Sequence, residues 1–228
     1  MLSQLLSGNF TLQNIIAQIL AVLVIIFLIL PFHEWAHAFT ASLLGDKGIK
    51  QRGRLLLNPL SHIDPMGALC MILFGFGWAR PVPVDSRYFK NPKVGMAITA
   101  LMGPVANLVA GFVGLIIYNV LYTAFPQFMY TNGFGQFLTM FMSFYIRVNV
   151  NLAVFNLLPI PPLDGSKILF TFLPDKAVEF CYRYQMIFFF ALFALISFGP
   201  LSGLLSYLSN GLMQGMVWLA ALPFNMFR

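Results

Sequence analysis

Ile19-Leu20-Ala21-Val22-Leu23-Val24-Ile25-Ile26-Phe27-Leu28-Ile29-Leu30-Pro31-Phe32-His33-Glu34-Trp35-Ala36-His37 is the stretch whose reading decides the fold. From Met1 to Phe32 there is no Asp, Glu, Lys, Arg or His; two histidines and an acid then fall within one helical turn. One long helix is expected from Thr11 to about Leu44, with Gly45 as its C-cap and a loop starting at Asp46. Residues Leu12 to Leu30 alone would rise about 28 Å, close to the thickness of a bilayer core. Pro31 removes one backbone hydrogen bond and predicts a kink. The apolar run is too long for a cleaved leader and has no basic start, so it reads as a retained span.

On this helix His33 and His37 stand at i and i+4, one above the other on one face. They can offer two imidazoles to one metal ion, with Glu34 beside them to handle a proton. The alternative is a chance match on a buried helix. In lipid, three ionisable side chains cost too much to keep without a purpose, which favours the metal.

The composition sets the class. Only 9% of the 228 residues are charged and 59% are hydrophobic, with mean hydropathy +0.82; a soluble domain carries about 25% charged residues. An all-α polytopic membrane protein is expected, as a single integral-membrane domain over residues 1–228. No basic cluster interleaved with aromatics tracks a phosphate backbone, so nucleic acid is excluded as a partner. Cys70 and Cys181 form neither a disulfide framework nor a C-x-x-C pair.

Charge distribution gives the topology. Lys47, Lys50, Arg52, Arg54, Arg80, Arg87, Lys90 and Lys93 lie between residues 46 and 93 and mark that region as cytoplasmic. The histidine motif then sits near the cytoplasmic face. Within the region, Ile49 to Leu57 is expected as a strand and the Pro-rich stretch Trp78 to Val84 as an edge strand. Met66 to Phe76 is too short to span and reads as re-entrant or interfacial. Further spans are expected at Val94–Tyr122, Gly135–Leu158, Gln185–Phe198 and Leu204–Leu222, with an outer loop at 123–133. That makes about five to six transmembrane helices, with a small cytoplasmic-side β-hairpin or re-entrant element between the first two. Every Lys and Arg except Arg147 falls on the inner side. Arg147, inside a span, is expected to face a polar cavity or a bundle partner. Asn107, Asn149 and Asn151 read as helix–helix hydrogen bonders. Gly103, Gly111 and Gly114 read as close-packing positions, and Asp64 and Asp85 as turn acids.

A catalytic zinc usually takes three protein ligands and leaves a fourth position open. Two residues are candidates for the third place: His62, in Asn58-Pro59-Leu60-Ser61-His62, and Asp164, in Leu163-Asp164-Gly165. Asp164 follows a proline-broken helix end, from which a side chain can point back into a bundle.

Three motifs in order carry a resemblance: His33-Glu34-Trp35-Ala36-His37, then Asn58-Pro59-Leu60-Ser61-His62, then Asn156-Leu157-Leu158-Pro159-Ile160-Pro161-Pro162-Leu163-Asp164-Gly165. Phe76-Gly77-Trp78-Ala79-Arg80-Pro81-Val82-Pro83-Val84 and Gly103-Pro104-Val105-Ala106-Asn107 add to it. Together they resemble the site-2 protease family of intramembrane zinc metalloproteases, in a minimal prokaryotic-type branch with no PDZ-like or CBS-like domain. The resemblance implies one Zn2+ per chain, held by His33, His37 and Asp164, with Glu34 as the catalytic glutamate. It places Asn156 near the metal, aiding the oxyanion or the substrate, and leaves His62 between a packing and a functional role. It implies a multi-pass protein of the cell membrane whose partners are the lipid bilayer and membrane-anchored regulatory substrates, often cut first by an upstream protease or gated by a partner protein. A substrate helix must unwind before attack, and the edge at Trp78–Val84 or Leu55–Leu57 is expected to hold it. The competing readings are a non-catalytic zinc-binding membrane protein, structural or sensory, and a metal transporter. Neither needs an acid beside the first histidine.

Overall fold

The computed structural model describes residues 19–74, 77–197 and 199–225. The expected helix start at Thr11 and the ends of the segments drawn to Phe76 and Phe198 lie outside them. The described residues are mostly helical and contain no strand, only one isolated antiparallel bridge, Ile63 with Ala79. They divide into two compact units, Met1–Gly103 and Pro104–Arg228.

In the first unit, α1 (Ile19–Leu43) contains a π-helical turn at Ile25–Ile29, just before Pro31. It ends where the sequence expects. Gly45 has φ +122°, and a Cβ there would lie 2.7 Å from the Tyr88 carbonyl oxygen. The next residue, Asp46, is fully buried. Its carboxylate accepts from Gly48 N at 3.0 Å, from Asp85 N at 2.9 Å and from Arg52 Nη2 at 3.1 Å. One buried acid therefore ties the end of α1 to a segment 39 residues on. Short helices α2 (Gly48–Gln51), α3 (Pro59–His62) and α4 (Pro65–Phe74) follow, then a 3-10 turn at Ser86–Tyr88. Ala38 and Ala41 of α1 leave room for Ile49, Phe89, Val82 and Val84 to pack in one apolar cluster.

The strand expected over Ile49 to Leu57 is not formed. Asp46 holds the Gly48 N–H and starts a helical turn, and Gly53 at φ +69° breaks any extended run. Trp78 to Val84 runs without helix but is bridged only at Ala79. Pro81 and Pro83 carry no N–H, so a ladder cannot continue. Asp64 and Asp85 cap turns as expected, accepting from Gly67 N at 2.8 Å and Arg87 N at 3.1 Å. The Arg87 side chain and backbone bonds hold the Asp85 carboxyl down at about 2.

Helix α5 (Pro92–Ala124) contributes its start to the first unit and its remainder to the second. The second unit continues with α6 (Pro126–Thr131), α7 (Gly133–Asn156), α8 (Asp164–Phe170), α9 (Asp175–Arg183), α10 (Gln185–Ser197) and α11 (Pro200–Asn225). Its core joins Leu115, Ile146, Val150, Met216 and Ala220. A Cβ on Gly114 would lie 3.1 Å from the Tyr145 ring, so α5 and α7 approach closely there. The loop at 123–133 contains the short helix α6, and Asn132 caps α7 by accepting from Phe134 N at 2.8 Å.

Three helices among the described residues are long and apolar enough to cross a bilayer: α1, α5 and α7. The pair α9 and α10, bent by 68°, would make a fourth. Leu23 and Phe27 on α1, Val109 and Val113 on α5, and Phe134 and Phe137 on α7 are exposed apolar side chains, as lipid contact requires. This is an all-α membrane protein. Arg147 is exposed on α7. Asn149 is buried, but its amide donates to Tyr145 O of its own helix at 2.9 Å. Asn107 is fully buried, and its amide makes no hydrogen bond among the described residues.

Candidate metal centre

The helical spacing of α1 puts His33 and His37 on one buried face, with ring centroids 4.6 Å apart and the rings perpendicular. Their Nε2 atoms are 3.0 Å apart. The other nitrogen of His37, Nδ1, lies 2.7 Å from the Thr99 carbonyl oxygen on α5. A carbonyl only accepts, so Nδ1 carries the proton and Nε2 presents its lone pair. This is the outer contact that orients a metal-ligating histidine. Two nitrogens bound tetrahedrally to one zinc at about 2.05 Å lie about 3.3 Å apart, close to the observed spacing. The donor set therefore suits zinc.

Gly103 completes the cradle. A Cβ at this position would lie 2.4 Å from His37 Cε1 and Nε2 and 2.6 Å from His33 Cε1. The sequence reading gave this glycine a general packing role; what it packs against is the histidine pair.

Glu34 is half-buried, and its Oε2 accepts from the backbone N–H of Val82 at 3.2 Å. Trp35 stacks between Phe32 and Phe39, and its Nε1 donates to Leu55 O at 3.0 Å. These contacts fix the rotation of α1 against the loop. Arg54 is buried and donates to the Ser61 carbonyl. Burial and then the Arg80 charge push its pKa below the usual arginine value, while the Glu34 charge pulls it up. A cation thus faces the acid from the loop side. Neither the Thr99 carbonyl nor the Val82 amide has a signature in the sequence, because both act through backbone.

His62, one of the two candidates for a third ligand, does not join the pair. Its Nε2 is 3.1 Å from Leu56 O. In the second unit, Asp164 opens α8 and is buried, with Lys167 Nζ 3.2 Å from its Oδ1. Gly165 permits the tight entry, since a Cβ there would lie 2.2 Å from Leu157 O. Asn156 ends α7, half-buried, and its Nδ2 donates back to Leu152 O at 3.1 Å.

Comparison with known proteins agrees with this chemistry. Residues 21–197 match the model of peptidase family M50. The chain is 43% identical over 152 residues to the protein named "Putative zinc metalloprotease YwhC" of Bacillus subtilis, covering 66% of this chain and 68% of that one. It is 33% identical over 141 residues to "Putative zinc metalloprotease Rip2" of Mycolicibacterium smegmatis, covering 60% of this chain and 51% of that one. The corresponding Rip2 of Mycobacterium tuberculosis is 29% identical over 145 residues, with 61% and 52% covered. The match thus spans about half the length of the mycobacterial relatives. No solved structure matches the chain. The chain belongs to peptidase family M50, the site-2 protease family, and its metal is zinc.

Proposed function

We propose that this protein is an intramembrane zinc endopeptidase that hydrolyses peptide bonds in or near the transmembrane segments of membrane-anchored regulatory proteins. The observation that carries the reading is the His37 Nδ1 bond to Thr99 O, which aims Nε2 at its His33 counterpart with Glu34 on the next residue. His33 and His37 would hold the zinc with Asp164 as the third ligand. Asp164 is a buried carboxylate at the start of α8, the one acid of the Leu163-Asp164-Gly165 motif. The family match runs through both units and supports a single domain.

When bound, zinc supplies Lewis acidity that polarises the scissile carbonyl and makes a water acidic near neutral pH. Glu34 takes the proton from the attacking water as its oxygen bonds to the carbonyl carbon. As the C–N bond breaks, the same carboxyl returns the proton to the leaving nitrogen. Val82 N–H holds Oε2, which leaves Oε1 for this traffic. Asn156 keeps a second amide hydrogen that can meet the developing oxyanion. In this reading the protein sits in the cell membrane with its site near the cytoplasmic face, where most of its Lys and Arg fall. Helices α10 and α11 supply the remaining spans of a five- to six-helix topology. An upstream protease or a gating partner delivers the substrate.

The test is Glu34→Gln. Cells carrying it should accumulate uncut membrane-protein fragments that wild type removes, while the purified variant keeps one zinc per chain. Normal fragment turnover with Glu34→Gln would favour a non-catalytic zinc role instead.

A further inference from the structure

We infer that one exposed face of α11 is the seam along which a second copy of this chain packs, as a parallel pair about a twofold axis normal to the membrane. Helix α11 (Pro200–Asn225) carries no charged residue. Its Met216 and Ala220 are buried in the core of the second unit with Ile146 and Val150 of α7. A Cβ on Gly111, near the middle of α5, would lie 3.5 Å from Met216 Cε. That contact sets the depth of α11 in the bilayer. Gln214 and Asn210 stand two and six residues before Met216, which is about 3 and 9 Å along the helix axis. The hydrocarbon core reaches about 15 Å to either side of its middle, so both amides lie within it.

Both side chains are exposed. Asn149 and Asn156 of α7 return their amides to carbonyls of their own helix, whereas Asn210 and Gln214 make no such bond among the described residues. An amide left open to lipid is costly, so these two call for a partner. Another exposed face of α11 suits lipid without one: Leu204, Leu208, Leu212 and Leu219. The amides belong to a different stripe, Gly203, Tyr207, Asn210, Gln214, Val217 and Ala221, spaced alternately by four and three residues. That seven-residue repeat is the seam of two helices packed side by side. From Gly203 to Ala221 it rises about 27 Å, close to the depth of the bilayer core. The seam is open, since Tyr207 is 77% exposed and a Cβ on Gly203 would meet nothing within 4 Å. Its chemistry selects the occupant. Copies of one chain enter the membrane in one orientation, so a twofold axis sets each seam residue opposite itself at its own depth. An amide carries both a donor and an acceptor, so Asn210 and Gln214 each pair with their own counterpart. Gly203 and Ala221, at the two ends, let the backbones close in. A polar residue at a seam position also fixes register and helix number. Another protein would have to supply two amides at these two depths; a second copy always does.

The experiment uses the full chain in membranes, with Cys70 and Cys181 changed to alanine. Single cysteines are introduced on the seam (Tyr207→Cys, Asn210→Cys, Gln214→Cys, Val217→Cys) and on the leucine face (Leu204→Cys, Leu208→Cys, Leu219→Cys), then oxidised with copper phenanthroline. The seam cysteines should give a disulfide-linked dimer and the leucine-face cysteines should not. Energy transfer between donor- and acceptor-labelled chains in liposomes then measures the strength of pairing. Asn210→Leu combined with Gln214→Leu should raise the chain-to-lipid ratio for half-maximal pairing by about tenfold. Asn210→Gln, which keeps an amide, and Leu208→Ala, which lies off the seam, should leave it within a few fold of wild type. Zinc content and circular dichroism report the folding of each variant. Absence of energy transfer at every ratio, cross-links spread evenly around the helix, or pairing unchanged in the double leucine variant would overturn the seam. Seam cysteines that trap a different membrane protein and no second copy would overturn the choice of occupant.

Discussion

The backbone N–H of Val82 donates to Oε2 of Glu34 at 3.2 Å. Val82 stands between Pro81 and Pro83, so it offers the one N–H in three residues. A segment that cannot continue a strand ladder instead fixes the orientation of the acid. Hydrogen bonds to charged groups contribute about 1.5–3 kcal/mol. Val82→Pro should therefore slow turnover by roughly ten- to a hundredfold with one zinc per chain retained. Val82→Ala, which keeps the N–H, should stay within a few fold of wild type. Equal rates for the Ala and Pro variants would show that the contact plays no part in catalysis.

Gly103→Ala should evict the metal. The added methyl would sit 2.4 Å from His37 Nε2, and the Thr99 carbonyl on the same helix prevents that ring from moving away. Zinc content measured by atomic absorption should drop to less than half of wild type, with helical content unchanged. Gly111→Ala on the same helix is the control. Its nearest contact would be 3.4 Å, and alanine favours a helix over glycine by up to about 1 kcal/mol. Full zinc in Gly103→Ala would mean that the two helices stand further apart than described.

Asp46→Ala should destabilise the first unit. It orphans the N–H groups of Gly48 and Asp85 and releases Arg52. Arg52 is 40% exposed and stays solvated, so the ion pair itself is worth little. The two part-buried backbone donors dominate, at about 1–3 kcal/mol together. A lowered thermal midpoint is expected, together with slower cleavage, because the segment carrying Val82 loses its anchor at Asp85. A midpoint equal to wild type would contradict the clamp.

What the sequence made legible was chemistry that is local in the chain. His33 and His37 need only the helical period to meet, and Gly45, Asp64 and Asp85 act within a few residues of themselves. The long apolar runs announced α1, α5 and α7 for the same reason. One misreading comes from local turn chemistry outweighing side-chain preference, and what went unseen comes from backbone contacts made at long range. Ile49 to Leu57 has strand-like side chains, but Asp46 and Gly53 impose turns on it. The Thr99 carbonyl and the Val82 amide are 62 and 48 residues from the side chains they serve, and any residue type supplies such a group. Gly103 was visible as a small residue, but its partners were not.

Removal of zinc should separate the enzyme reading from the structural one. Where a metal builds the fold, the apo protein unfolds. Here the His37 ring is bonded to Thr99 O, and α1 is tied to its loop by Trp35, Asp46 and an apolar cluster, none of which uses a metal. A chelator should therefore abolish cleavage while the far-ultraviolet circular dichroism stays unchanged, and added Zn2+ should restore the activity. Some loss of thermal stability is expected, because any ligand of the folded state stabilises it by mass action. Collapse of the helical signal on chelation, with no recovery on adding zinc, would move the metal from the reaction to the scaffold. The role of Glu34 would then need another explanation.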